Sequence, residues 1–179
     1  MAEYGKRLYG GRISKKDAMF KKRALEDLKD TEEKLERILE MNPELQDLVQ
    51  ILLLMGGDTV EFEGWASLND LEFFTHTGKS IDPKNVSKAM AKNEDCRIGW
   101  CWENAAELKT RDLVPVYAFA LVDYYGIYSY WMEHFILKHR PTGTYHESTP
   151  VTRVLWYYVN DISIKDFKRM RDEPIDWLQ

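Results

Sequence analysis

Residues 99–108 read GWCWENAAEL, a cysteine between two tryptophans that is followed by helix-forming residues. The run from Trp102 to about Thr110 predicts a helix, and Cys101 would lie at its N-terminus. The unpaired N–H groups and the positive dipole end of a helix N-terminus lower the pKa of a thiol placed there. The segment therefore predicts both an element of the fold and a candidate nucleophile.

The chain after this segment is rich in residues typical of strands. Runs of β-branched and aromatic side chains occupy 114–124, 131–138 and 151–159, and Pro141 and Gly143 predict a turn between the last two. Helical patterns dominate before residue 57. Helices first and strands later predict an α+β fold, with an antiparallel sheet packed against the Cys101 helix.

The N-terminal part has a clear helical period. Apolar residues recur at three- and four-residue steps from Phe20 to Leu39, which predicts a helix from Ser14 to about Met41. Asn42-Pro43 predicts the start of a second helix that ends near Met55 before two glycines. The pair would form a helical hairpin, and a coiled-coil partner is the alternative, although the heptad register is not sustained.

Three regions follow from these patterns: a basic arm at 1–13, the hairpin at 14–57 and a core domain at 58–179. Within the core, the alternation at 60–65 predicts a short strand. Asp82-Pro83 predicts a helix that continues to about Lys92.

Length and composition are those of one small domain. The 179 residues, 44% of them apolar, suffice for a single core, and two cysteines are too few for a secreted disulfide scaffold. No apolar run reaches the length of a membrane span, and we expect no secretory signal. We therefore expect a reduced, cytoplasmic protein without membrane contact.

Charge is unevenly distributed. Residues 1–23 carry eight basic and two acidic side chains, whereas the whole chain carries 25 and 30, so the rest has a net charge of about −11. A basic arm can contact nucleic acid or an acidic partner, and it can also be a solubilising end. The acidic body limits any nucleic-acid contact to the arm. Small size, helices and arm together would suit a bacterial or bacteriophage accessory protein.

A histidine and a carboxylate follow the cysteine in the chain. His134 lies in WMEHFIL at 131–137, and Glu147 lies in YHESTP at 145–150. A thiol becomes nucleophilic beside an imidazole, and a carboxylate orients the imidazole. Cys96 is a weaker candidate than Cys101 because no helix begins there.

The segment Gly-x-Cys-Trp-x-x-Ala resembles the nucleophile motif of papain-like and transglutaminase-like cysteine enzymes. The strand that carries His134 is similar to the histidine strand of that superfamily, and Glu147-Ser148-Thr149 resembles its Asp-x-Thr segment. The resemblance covers about residues 95–160 and implies a cysteine hydrolase or acyl transferase. It implies Cys101 as nucleophile, His134 as general base and acid, and Glu147 as the group that orients His134.

Three features depart from the family pattern. No glutamine lies between Gln50 and Gln179, so the family's oxyanion donor is missing. The Cys101 backbone N–H would need a second donor, for which Asn93 and Trp100 are candidates. Phe135 follows the histidine in place of a small residue, and Glu147 replaces an aspartate. Trp102 and Asn104 complete the set of candidate substrate or oxyanion residues.

Each residue also has a structural interpretation. Cys101 could be a buried core thiol, His134 a core histidine whose nitrogens are satisfied, Glu147 a solvated turn residue, and Asn104 a residue that bonds its own helix backbone. If so, the chain is a non-catalytic binding or inhibitor protein that retains the fold. It would engage a protein or a small molecule through its helices or its aromatic cleft.

Cofactor sites are not indicated. The spacing of the metal-ligand candidates does not match known zinc motifs; these candidates are Cys96, Cys101, His134, His139 and His146. The glycine pair at 56–57 lacks the residues of a phosphate-binding loop. We therefore expect a protein without metal or cofactor.

Overall fold

The computed structural model describes residues 15–88, 100–150 and 153–161. This part of the chain is a mixed α+β structure with a curled, half-barrel sheet, which confirms the predicted α+β class. The predicted basic arm lies outside the described residues, as do Asn93 and Cys96.

The first two helices form where the apolar period predicts them. Helix α1 spans Lys15–Met41, a 3-10 turn spans Pro43–Leu45, and α2 spans Gln46–Met55. Pro43 lies in the first turn, where a missing N–H costs nothing. Gly56 then ends α2 with φ of 126°, a conformation that a side chain would disfavour. Helix α1 contacts strand β1 (Thr59–Glu61), whereas α2 contacts α3 (Leu68–Thr77).

Helix α3 is not predicted by the apolar pattern, but its N-cap is readable. The Ser67 side chain accepts a hydrogen bond from the Asp70 N–H, and the Asp70 carboxylate accepts one from the Ser67 N–H. This reciprocal capping box satisfies two backbone donors that the first turn leaves unpaired. Helix α4 spans Cys101–Leu108 and confirms the helix predicted after the cysteine.

The remaining strands differ widely in length. Strand β4 spans Leu113–Tyr124, β5 spans Tyr128–His139 and β7 spans Val154–Asn160, all close to the predicted runs. Strands β2 (Lys79–Ile81), β3 (Val86–Ser87) and β6 (Tyr145–His146) are short. The helix predicted from Asp82 is wrong: only a 3-10 turn forms at Pro83–Asn85, and β3 follows it directly.

The sheet has the order β2-β7-β4-β5-β6-β3, and β1 also pairs with β5. Its centre is antiparallel, as predicted, because β4 pairs antiparallel with both β5 and β7. Two short strands run parallel to their neighbours, β1 to β5 and β3 to β6, whereas the edge strand β2 is antiparallel to β7.

One edge of β5 changes partner along its length. Strand β1 pairs with Tyr130–Met132, and β6 pairs with Leu137 and Lys138. Within the described part of the chain, no strand pairs with residues 133–136 on this edge, and α4 contacts β5. The helix that begins at Cys101 therefore packs beside the interval that contains His134.

The two faces of the sheet are buried by different groups. The larger core lies on the side of the helices and includes Phe74, Tyr117, Phe135 and Cys101. A smaller cluster on the opposite face includes Ala118, Ala120 and Ile136, along with Tyr157. Because side chains alternate along a strand, Glu133 and His134 project to opposite faces. No helix in the described ranges has both the length and the apolar character needed to cross a membrane.

Candidate active site

Cys101 is the first residue of α4, and its thiol is free and 3% exposed. Trp100 occupies the N-cap position without a side-chain cap, and its carbonyl accepts the Asn104 N–H at 2.9 Å. The first N–H groups of a helix have no intrahelical acceptor and point out of its N-terminus. Cys101 therefore lies with its backbone N–H at this unpaired end of the helix.

His134 lies in the middle of β5, paired in register with Ala118 of β4. The small side chain of Ala118 and the ring of Tyr157 surround the imidazole, whose centroid is 6.4 Å from that of Tyr157. The residue is 1% exposed, so its ring nitrogens depend on protein partners.

Glu147 directly follows the two-residue strand β6. Its own N–H donates to the Ser87 carbonyl at 2.8 Å, and the hydroxyl of the next residue, Ser148, donates to the Phe135 carbonyl at 3.2 Å. These bonds tie the segment to β3 and β5. The Glu147 carboxylate is 1% exposed, and its Oε1 and Oε2 lie 2.9 and 3.1 Å from Nε2 of His134.

The charges of the three groups are coupled. Burial alone would lower the pKa of His134, but the Glu147 carboxylate and the Cys101 thiol together hold it well above its usual range. Burial would likewise raise the pKa of Glu147, but His134 and the hydrogen bonds to the carboxylate hold it below its usual value. The pair therefore favours an imidazolium beside a carboxylate.

The hydrogen bonds also define which nitrogen faces the thiol. A carboxylate only accepts, so Nε2 of His134 carries the proton in its bond to Glu147. Nδ1 remains for the Cys101 thiol, whose hydrogen-bonding interaction with the ring contributes to the raised pKa of His134. In the neutral ring Nδ1 is then the basic nitrogen, as general-base catalysis at sulfur requires.

Two donors to the carboxylate were not predicted from the sequence. The Thr149 N–H donates to Oε1 of Glu147 at 2.9 Å, and the Tyr157 hydroxyl donates to Oε2 at 2.6 Å. The Thr149 contact could have been inferred from an acidic residue two positions before a turn threonine. Tyr157 had no local signal, because a tyrosine in a β-rich run is ordinary core.

The remaining candidates are distributed around the helix start. Asn104 is 3% exposed, and its Nδ2 donates to the Thr149 hydroxyl at 3.1 Å, which joins α4 to the Glu147 segment. Trp102 is half-buried, packed against the larger core. Trp100 is the most exposed of the three and is the N-cap residue of α4.

A second buried acid lies on the other face of β5. Oε1 of Glu133 accepts the Tyr117 hydroxyl at 2.5 Å, and Oε2 accepts the N–H groups of Glu63 and Trp65 at 2.6 and 3.3 Å. Burial raises the pKa of Glu133 to about 7, although these three bonds oppose the shift. In the sequence Glu133 is a neighbour of the histidine and an alternative to Glu147 as the third group, but no local pattern indicates its tyrosine and backbone donors.

The two other histidines near the site pair with hydroxyl groups. Nδ1 of His139 lies 2.7 Å from the Thr142 hydroxyl, and Nε2 of His146 lies 3.2 Å from that of Thr144. Over the described ranges, no three His, Cys, Asp or Glu side chains are grouped as metal ligands would be.

The chain was compared with family models, curated proteins and solved structures, and none of them matches it.

Proposed function

We propose that this protein is a cysteine-dependent hydrolase or acyl transferase that acts on an amide, ester or thioester. The observation that carries the proposal is the contact series from thiol to imidazole to carboxylate, in which Nε2 of His134 bonds Glu147 and the Cys101 thiol interacts with the same ring. An arrangement of this kind on a papain-like core would match the resemblance in the sequence.

The reaction would begin from the ion pair in which the thiol proton has already passed to Nδ1 of His134. The thiolate sulfur attacks the carbonyl carbon and forms a C–S bond, while the carbonyl oxygen takes the negative charge. The intermediate collapses, and the leaving amine, alcohol or thiol takes the proton from Nδ1. Water, or a second nucleophile in a transferase, then gives its proton to Nδ1, attacks the thioester and releases Cys101.

The acid–base roles follow from the electrostatics of the pair. Glu147 stabilises the imidazolium that forms after the first proton transfer, because its carboxylate remains charged at neutral pH. The oxyanion would lie near the N-terminus of α4, where the Cys101 N–H is the first donor available. A reducing, cytoplasmic compartment would keep the thiol free for this chemistry.

A non-catalytic binding protein is the second candidate, and burial favours it. Cys101, His134 and Glu147 are each no more than 3% exposed, so the thiol lacks open access for a substrate carbonyl. In that case the three residues would act as a buried polar network that holds α4 on the sheet.

Alkylation separates the two candidates. If Cys101 forms a thiolate–imidazolium pair, iodoacetamide at pH 6 should label it at least about tenfold faster than Cys96, because only a thiolate reacts. Peptide mass spectrometry measures both sites in one sample. Cys96→Ser should leave the fast reaction unchanged, and Cys101→Ser should abolish it.

An activated ester extends the test to acyl transfer. Mixing the protein with a p-nitrophenyl ester should give an intact-mass adduct of one acyl group on Cys101, and Cys101→Ala should give none. Slow labelling of Cys101 in the native protein, with ordinary labelling after denaturation and no acyl adduct, would instead support the binding protein.

A further inference from the structure

We propose that Tyr157 is a positioning residue of this site and that its hydroxyl determines the pH below which the site loses its charged form. The catalytic importance of Tyr157 in this inference rests on the proposed function. Its geometry is independent of that function.

Among the described residues, three donors form hydrogen bonds to the carboxylate of Glu147. Oε1 accepts from His134 and from the Thr149 N–H, whereas Oε2 accepts from the Tyr157 hydroxyl at 2.6 Å and is 3.1 Å from His134. One donor is the catalytic base itself, and one belongs to the backbone. A side-chain substitution can thus remove the Tyr157 hydroxyl without changing His134 or the Thr149 N–H.

The position of the hydroxyl is fixed by the sheet. Tyr157 lies on β7, in register with Ala120 of β4 and Ile81 of β2, and is fully buried. Ala120 leaves room for the Tyr157 ring, whose plane is inclined by 31° to the plane of the His134 ring. Because the ring has no contact with water, the hydroxyl needs a protein acceptor, and Glu147 is that acceptor.

The hydroxyl acts on the site through the charge of Glu147. A hydrogen bond to a carboxylate favours its ionised form, and Tyr157 contributes to the lowered pKa of Glu147. Without the hydroxyl, Glu147 should take up a proton at a higher pH. The imidazolium of His134 would then lose its counter-charge, and the Cys101 thiolate would lose its partner.

The test compares Tyr157→Phe with Tyr158→Phe. Tyr158 is the matched control, because it is the next residue, lies in the larger core and has its hydroxyl 3.4 Å from the Thr75 carbonyl. Two profiles are measured from pH 3 to 8: the ¹⁵N NMR shifts of the His134 ring, and the rate of Cys101 alkylation by iodoacetamide. Thermal unfolding shows whether each variant is folded.

Tyr157→Phe should move the acid midpoint of both profiles upward by about one pH unit, since a hydrogen bond to a charged group corresponds to a shift of roughly that size. Tyr158→Phe should leave both midpoints unchanged. Replacement of residue 157 by 3-fluorotyrosine retains the ring and gives a stronger donor, so it should move the midpoints downward. This replacement also serves as the test if the phenylalanine variant fails to fold.

The inference would be overturned if the midpoints were unchanged in a folded Tyr157→Phe protein. It would also be overturned if 3-fluorotyrosine at position 157 did not move the midpoints downward. Equal shifts in both phenylalanine variants would also overturn it, because they would indicate a general effect on the sheet. If the NMR midpoint moves but Cys101 of the native protein reacts no faster than Cys96, the role of Tyr157 stands and the proposed function fails.

Discussion

Glu133 and His134 are consecutive residues of one strand, yet their surroundings favour opposite charge states. His134 contacts a carboxylate and a thiol, which hold its pKa well above its usual range. The described partners of Glu133 are two backbone N–H groups and a tyrosine hydroxyl, and burial raises its pKa to about 7. The alternation of side chains along β5 separates these environments by the thickness of the sheet.

Glu133 should therefore make the protein less stable as it ionises. A group whose pKa is raised from 4.5 to about 7 in the folded state loses its stabilising contribution as the pH rises through that window. Glu133→Gln imitates the neutral carboxyl, since its oxygen can accept from Glu63 and Trp65 and its amide can donate to Tyr117. We expect the variant to gain about 1–3 kcal/mol relative to the native protein between pH 5 and pH 8.

Urea unfolding at several pH values measures this difference. Glu63→Gln is a suitable control, because Glu63 is an exposed neighbouring carboxylate and should change the free energy of unfolding only slightly. A constant difference between Glu133→Gln and the native protein across pH 5–8 would mean that Glu133 is ionised throughout.

At the scale of elements, the position of a short strand depends on the neighbouring element that leads into it. Helix α3 is capped by Ser67 and leads through Gly78 directly into β2, which pairs with the outer side of β7. A Cβ at Gly78 would lie 2.3 Å from the Tyr158 ring, so this junction requires glycine. The start of α3 thus helps to fix the margin of the sheet.

Ser67→Ala should remove the capping box and lower the free energy of unfolding by about 1 kcal/mol. The Asp70 N–H loses its acceptor, the Ser67 hydroxyl, whereas the N–H of residue 67 can still donate to the Asp70 carboxylate. Chemical denaturation followed by circular dichroism measures the loss. Thr77→Ala is the control at the other end of α3, where an exposed hydroxyl donates to the Phe73 carbonyl, and it should cost less than half as much. Equal losses in the two variants would argue against a specific role for the cap.

At the scale of the whole molecule, the coupled pair should give stability a defined pH dependence. The pKa of His134 is raised from 6.5 to about 10, so its contribution is complete below pH 6.5 and is lost as the pH rises toward 10. The pKa of Glu147 is lowered from 4.5, so its contribution is present above pH 4.5 and is lost on acidification. The pair should therefore stabilise the fold most between about pH 4.5 and 6.5.

The double variant His134→Gln/Glu147→Gln should flatten this dependence. We expect the native protein to lose about 1–3 kcal/mol more than the double variant between pH 8 and pH 10, where Glu133 is mostly ionised in both proteins. Thermal and urea unfolding across pH measure both proteins. Parallel curves above pH 7 would show that His134 is neutral in the folded protein.

Some of these features are readable from the sequence because they depend on local pattern. The apolar period of α1, the proline in the turn before α2 and the β-branched and aromatic runs of β4 and β5 each act within one element. Cys101 at a predicted helix start, His134 in a predicted strand and Glu147 after a turn follow from the same local signals. The order of the elements was sufficient for the α+β class.

Tertiary structure alone decided the rest, because those features need partners that are distant in the chain. The two- and three-residue strands carry too little period to be recognised and form through pairing with longer strands. The register of β4, β5 and β7 brings Tyr157 to Glu147, and it brings Tyr117 to Glu133. Burial of His134 between Ala118 and Tyr157 has the same origin. The sequence by itself determined the chemical groups and the local elements that carry them, whereas strand register decided which groups meet, since a shift of one residue would turn each side chain to the other face.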